Sequence, residues 1–354
     1  MIKMIKILFY TGGSIDFAGT CRSHERIFLN LDKKVFDPYV FYLPHNDNNR
    51  LDYLKNNMDN EKIIPFEASK ERLGSQQGHA FVYSNFSEVA KKYNFDIIHY
   101  ARSGYYEFPF TERIAPLQIE TNIFGYRDNS PFLDYSVTIS NKITELRNGS
   151  DYMIYNPIPS PIDDNNNLFE ELNLPNGYHI FGRIGRKDNF HPIALEALKI
   201  LKNNGIKFKY IIIGACDNTI NYINYLGLND DCIILETTSD DYFIHKFYNT
   251  IELFLHYRSD GESFGTAIAH SLGYKKPVIS HYSGYNAQNE ILLNGGFVVN
   301  NSQEYSNIID KLISNKNIYN EVSINAKKRF LDFEQSNIVK QWEEFYLKII
   351  NKKI

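Results

Sequence analysis

Short runs of β-branched and aromatic residues alternate along the chain with longer stretches whose apolar positions recur at helical spacing. Residues 5–10 read as a strand that Gly12 and Gly13 break, and residues 23–31 carry Ile27, Phe28 and Leu31 on one helical face. Residues 35–43, 96–100, 115–120 and 135–140 read as further strands, with a helix over 86–93. Strands that alternate with helices predict parallel sheets covered on both faces.

The sequence Asn156-Pro157-Ile158-Pro159-Ser160-Pro161 then interrupts the pattern. Proline at this density resists both helix and central strand, so we read a linker; a long surface loop within one domain is the alternative. The alternation restarts with strands over 178–184, 209–213, 232–235, 253–257, 277–280 and 296–299. Helices are expected over 192–201, 218–226, 240–248, 265–273, 286–293, 302–313, 319–331 and 336–350. The expected organisation is a first α/β domain over 1–155, a linker over 156–163 and a second α/β domain over 164–334. A last helix over 335–354 crosses back to the first. Two such modules are expected to face each other across a cleft at the carboxyl ends of their strands, where open α/β sheets take ligands.

The charge balance narrows the chemistry. Lys and Arg total 38 against 42 Asp and Glu, a formal net charge of −4, which disfavours a broad nucleic-acid-binding face. Three scattered cysteines exclude a disulfide framework or a CxxC metal site. The opening MIKMIKILFY reads as a strand, not a targeting segment, and no apolar run approaches the ~18 residues needed to span a bilayer. The expectation is a cytoplasmic protein, with surface contact to a membrane left open and no oligomeric state assigned.

The most informative segment is Gly261-Glu262-Ser263-Phe264-Gly265-Thr266, continuing through His270 and Gly273 to Pro277-Val278-Ile279. A strand ends in a polar turn, and a helix opens at Gly265-Thr266. Glycine there lets backbone approach a ligand, and free N–H groups at the helix start suit a diphosphate. The spacing alone is equally consistent with an ordinary βαβ turn.

This segment resembles the signature of the retaining glycosyltransferase family four (glycosyl transferases group 1), which has the GT-B fold. Glu262, Phe264, Gly265, Pro277, Val278 and Ile279 fall in register with it. His270 stands where the family has a second Glu, which usually contacts donor ribose hydroxyls, and Lys275 stands where it has Gly. Gly182-Arg183, with Arg186 and Lys187 following, resembles the family's diphosphate-binding Gly-Arg and Lys. The stretch from Ser283 and Gly284 to Glu290 resembles its Gly-rich loop. The likeness is close over 178–300 and mainly topological over 1–150.

The resemblance implies an enzyme that moves a sugar from a nucleotide-diphosphate sugar to an acceptor hydroxyl of a glycan, polysaccharide or glycoconjugate. It implies retention of anomeric configuration and no metal or other cofactor. Glu262, Arg183 and Lys187 are the expected catalytic residues. His99 is set beside them from its place at a strand end, against a satisfied structural histidine. Gly12, Gly13, Gly182, Arg186, Leu235, Glu236, Thr237, Ser263, Phe264, Gly265, Thr266 and His270 are the expected donor-binding set. Arg102, Tyr105, Glu107, Asn122 and Arg127 are acceptor candidates, His256 reads as core, and the paired aspartates read as capping charge. A nucleotide-sugar epimerase or hydrolase on the same fold is one alternative. A non-catalytic nucleotide-sugar-binding subunit is another, supported in sequence by His270 alone. A dehydrogenase is disfavoured because no GxGxxG follows a strand.

Overall fold

The computed structural model describes residues 3–14, 19–43, 48–65, 86–102, 112–147 and 149–353. The chain divides into two units, Met1–Pro157 with Gln335–Ile354, and Ile158–Glu334.

In the first unit the strands are β1 (Ile5–Ser14), β2 (Phe36–Leu43), β3 (Ile63–Pro65), β4 (Ile97–Arg102), β5 (Leu117–Asn122), β6 (Tyr135–Thr138) and β7 (Tyr152–Met153). Helices α1 (Gly19–Asn30), α2 (Asn48–Asn57), α3 (Phe86–Tyr93) and α4 (Asn141–Arg147) accompany them. The strands form one sheet in the order β3-β2-β1-β4-β5-β6-β7, and the paired strands run parallel. Alternate residues of β1 serve opposite faces. Ile7 and Phe9 pack with Ile27 and Phe28 of α1, while Leu8 and Tyr10 pack with Ala90, Phe95 and Ile98. The expected break at Gly12 and Gly13 is corrected: β1 continues to Ser14, and its register against β2 shifts between Tyr10 and Ser14. Residues without Cβ tolerate such an irregularity without ending the strand.

The second unit contains β8 (His179–Ile184), β9 (Phe208–Ile213), β10 (Cys232–Leu235), β11 (Leu253–Leu255), β12 (Val278–His281) and β13 (Gly296–Val299). They alternate with α5 (Ile193–Asn203), α6 (Asp217–Leu226), α7 (Asp241–Thr250), α8 (Thr266–Gly273) and α9 (Ala287–Leu292). Helices α10 (Ser302–Ser314) and α11 (Lys316–Phe330) complete it, and α12 (Gln335–Asn351) belongs to the first unit. The strand order is β10-β9-β8-β11-β12-β13. Successive crossovers lead away from β8 on one side and from β11 on the other, so the chain reverses direction between these two neighbours. That divergence opens a crevice at their carboxyl ends. Among the described residues no helix is long and apolar enough to cross a membrane.

Helix α12 seals the α1 face of the first sheet with buried Trp342, Phe345 and Tyr346. Beneath it lies His99, which is 0% exposed. Its Nδ1 is 2.7 Å from the Tyr346 hydroxyl, and its Nε2 is 2.7 Å from Thr121 Oγ1. His24 stands 4.3 Å away, ring centre to ring centre. Burial lowers the His24 pKa to about 3, and burial together with the His24 charge holds His99 well below its usual value. His99, expected among the catalytic residues, therefore has a structural place: both ring nitrogens are engaged and no face meets solvent.

These imidazoles are neutral in the fold and take up protons on unfolding below the ordinary value of 6.5. Stability is thus complete above that value and falls as pH drops from 6.5 towards about 3. Each pH unit crossed in that window costs about 1.4 kcal/mol per buried imidazole. Denaturant midpoints measured from pH 8 to pH 4 should fall below pH 6.5, and His24→Gln should flatten the slope; equal midpoints at pH 7 and pH 5 would contradict the assignment.

Candidate functional site

The loops at the carboxyl ends of β8, β11 and β12 are held together chiefly through glycines. Gly261 (φ +72°) and Gly284 (φ +43°) lie in opposing turns. A Cβ on Gly261 would fall 2.2 Å from the Ser283 carbonyl oxygen, and one on Gly284 would fall 1.6 Å from that of Asp260. Tyr285 N donates to Asp260 O (2.9 Å), and Ala287 N to Glu262 O (3.0 Å). On the other side, a Cβ on Gly214 (φ +80°) would lie 2.1 Å from the Gly185 carbonyl oxygen. The turns after β8 and β9 therefore also touch.

Glu262 is fixed from four directions. Its Oε1 accepts from His256 Nε2 (3.1 Å), and its Oε2 from Arg258 Nη1 (3.3 Å). Its backbone N–H donates to Gln288 Oε1 (3.0 Å), and Ala287 holds its carbonyl. The His256 ring is oriented in turn by Ser280 Oγ, 2.8 Å from Nδ1. Burial acts to raise the Glu262 pKa. The His256 hydrogen bond and the charges of His256, Arg258 and Arg183 outweigh it, and the carboxyl is held below its usual range. Its side chain is still 19% exposed, so an ionised carboxylate reaches the surface of the crevice.

Arg183 is the penultimate residue of β8. It is 2% exposed, and its guanidinium lies over the Tyr257 ring at 4.0 Å. Its Nε and Nη1 are buried with no hydrogen-bond partner. Gly185 accommodates it from above, since a Cβ there would stand 2.7 Å from Nη2. Gly265, in left-handed conformation (φ +93°), starts α8 without a side-chain cap. An ionised carboxylate and an uncapped helix start border the turn, with the Arg183 positive charge buried beneath Gly185; such a set suits a phosphate-bearing, hydroxyl-rich ligand.

The remaining expected residues divide. Lys187 pairs with Glu236, both side chains exposed, while Arg186 pairs with Asp188. Thr237 Cγ2 lies within 3.0 Å of where a Gly214 Cβ would be, and Leu235 O accepts from Gly214 N (3.1 Å). These two thus border the same edge as Gly185. Ser263 and Thr266 are half-buried beside Glu262 and Gly265. Gly182 is explained by packing, because a Cβ would meet Ile251 at 2.5 Å and Phe247 at 2.7 Å. Phe264 is core, edge-on to Phe333 at 5.5 Å. The His270 ring is parallel to that of Tyr248 at 6.0 Å.

In the first unit, Gly12 and Gly13 lie within β1, and Arg102 ends β4 opposite Asn122. The Arg102 side chain and all of Tyr105 and Glu107 lie outside the described residues. Asn122 is 2% exposed, with Nδ2 unpartnered, and Arg127 pairs with Asp151. Asp240 caps α7 and Asp231 pairs with Lys202, as capping or solvated charge should.

Sequence reading gave no role to Arg258, His281 and Gln288; it placed His256 in the core, where it is buried, without seeing that its ring also holds Glu262. His281 accepts from Arg258 N (3.2 Å) and stacks on His191 at 4.1 Å. Burial and the charges of His191 and His256 lower its pKa to about 3. A polar residue ending each of the apolar runs 253–256 and 278–281 was the available signal.

Residues 164–329 match the model of the family described as Glycosyl transferases group 1. No curated protein matches the sequence. A glycosyltransferase from Rickettsia africae ESF-5 is 19% identical with a TM-score of 0.76, covering 98% of this chain and 99% of its own. HepE from Anabaena, solved in complex with UDP and glucose, is 16% identical with a TM-score of 0.71, covering 97% and 99%. Sucrose-phosphate synthase from Thermosynechococcus elongatus is 14% identical with a TM-score of 0.71, covering 99% and 100%. The fold is that of the GT-B glycosyltransferases.

Gly284→Ala should destabilise the second unit by about 1–3 kcal/mol, since it combines left-handed backbone strain with a backbone collision. Gly205→Ala has the same sign of φ but nothing within 4 Å, and should cost less. Denaturant unfolding of both variants checks the order; equal costs would remove the clash from the account.

Proposed function

We propose that the protein is a glycosyltransferase that uses a nucleotide-diphosphate sugar, retains the anomeric configuration and needs no metal. The observation that carries the reading is Arg183, whose buried guanidinium has two nitrogens without partners at the β8/β11 divergence. An anion in the crevice would complete it. The family match over 164–329 and the fold shared with a protein solved with UDP and glucose support the same ligand class.

In this reading the diphosphate lies between Arg183 and the Gly265-Thr266 amides, and Glu262 accepts from hydroxyls of the donor sugar. The bond from the anomeric carbon to the phosphate oxygen breaks as the acceptor oxygen bonds to that carbon. The acceptor proton passes to the departing phosphate. Negative charge grows on the leaving group, and fixed N–H donors already aimed there lower the barrier. Arg183 supplies the positive charge that a divalent cation supplies elsewhere, which is why metal independence is proposed. His270 in the place of a ribose-binding acid leaves a ring that can hydrogen-bond a hydroxyl.

A thermal-shift panel of nucleotide sugars should raise the melting temperature for one donor class. With that donor and an acceptor panel, transfer should proceed unchanged in EDTA, and NMR of the product should show the donor's anomeric configuration. Arg183→Ala should lower kcat/KM by about 10²–10³-fold, and Glu262→Ala by a similar factor. Transfer that survives both substitutions would refute the site. A sugar epimer formed without acceptor would replace transferase with epimerase.

A further inference from the structure

A pocket lies in the second unit, at the opposite end of α8 from Gly265. It encloses about 690 Å³ and is lined by Lys275, Lys276, Lys327 and Lys328 together with Tyr274 and Tyr319. The lysines come from two separate elements, the turn between α8 and β12 and the last turn of α11.

The backbone at Lys275 is unusual. Lys276 N donates to Ser271 O and Lys275 N to Leu272 O, both at 3.0 Å, a Schellman closure of α8. Lys275 is the residue of that closure in left-handed conformation, with φ +59°. Glycine is the ordinary occupant, and a lysine there strains the backbone. Strain kept at a surface position points to a use for the side chain.

None of the four lysines forms an ion pair with a carboxylate among the described residues. The carboxylates whose charge reaches them are engaged elsewhere: Glu252 holds His179 Nδ1 (2.8 Å), and Glu334 holds Ser160 Oγ (3.0 Å). Lys327 Nζ reaches the Gly273 carbonyl at 3.5 Å and lies over the Phe330 ring at 4.6 Å, with no carboxylate among the described residues. Burial lowers the Lys276 pKa, and burial with the neighbouring Lys275 charge lowers that of Lys327. The dipole ends of α8 and α11 favour cations, which accounts for lysines near a helix end. It does not account for a strained backbone or for four lysines converging on one cavity.

We propose that this pocket binds a multiply charged phosphate-bearing anion. The proposal is independent of the donor reading above, because it uses none of the same residues.

Calorimetric titration of the full chain with inorganic pyrophosphate tests it. Lys275→Gly combined with Lys328→Ala should weaken one binding component about ten-fold or more, while Arg183→Ala leaves that component intact. Lys275→Gly alone should keep or raise the melting temperature, since it relieves the left-handed strain. Loss of affinity without loss of stability separates binding from a structural role. Co-sedimentation with vesicles of phosphatidylglycerol and phosphatidylcholine identifies the source. Vesicle binding that pyrophosphate displaces and the lysine substitutions abolish marks a lipid headgroup; pyrophosphate binding without vesicle binding marks a soluble phosphate ester. Pyrophosphate binding unchanged by the lysine substitutions, or a lower melting temperature in Lys275→Gly, would overturn the proposal.

Discussion

A guanidinium taken out of water without a carboxylate bonded to it is costly to keep. In this protein Arg183 is such a group, and the surroundings are arranged to tolerate it. The Tyr257 ring gives it a π face. Gly185 leaves room above it, and Gly214 lets the next turn close over Gly185. The Glu262 carboxylate is near enough for the Arg183 charge to help hold it ionised, without a hydrogen bond between them. Each group bears on the next, so the turns after β8, β9 and β11 behave as one structure. A site assembled this way resists repacking, because moving one loop exposes a backbone collision in another.

The sheet determines why these groups meet. Parallel strands whose crossovers diverge leave their carboxyl ends uncovered at the point of divergence, and polar groups there need no burial among helices. His256 and His281 sit at the ends of otherwise apolar strands, at that boundary. Each spends its ring nitrogens on structure: His256 on Glu262 and Ser280, His281 on the Arg258 amide and the Tyr282 carbonyl. The carboxylate at the surface is therefore positioned by a layer of neutral and cationic donors beneath it.

Much of this was legible in the residues. Apolar strands over 178–184, 209–213 and 253–257, separated by amphipathic helices, predict the parallel sheet, and it forms with those strands adjacent as a doubly wound order requires. The Glu262 turn and the helix start at Gly265 were visible as a polar break followed by glycine. What escaped was short or polar. Helices α2 and α4 and strands β3 and β7 have ten residues or fewer and weak periodicity, so tertiary contacts decide them. Helix α11 begins at Lys316, earlier than expected, because the Asn315 side chain caps it. His99 looked chemical because a histidine ends an apolar run; only α12, distant in sequence, reveals that Tyr346 covers it. Gly182 was set among the donor contacts by its resemblance to a Gly-Arg pair, and the groups that approach it are Ile251 and Phe247.

The two positions at which the chain departs from the signature it resembles have different physical characters. At position 270 the side chain has become part of an aromatic column. His270 lies parallel to Tyr248, Tyr248 stacks on Tyr274 at 5.0 Å, and the Tyr274 hydroxyl is 2.9 Å from His245 Nδ1. The far nitrogen of His245 holds Asp164, whose pKa that hydrogen bond lowers to about 2. A carboxylate at 270 would set a charge beside the flat face of Tyr248, where the ring quadrupole repels an anion; an imidazole stacks there instead. At position 275 the replacement goes against the local backbone, since a left-handed residue gains nothing from a side chain. The first change fits its surroundings and needs no ligand to explain it. The second does not fit: the turn that closes α8 carries the cost of a left-handed lysine.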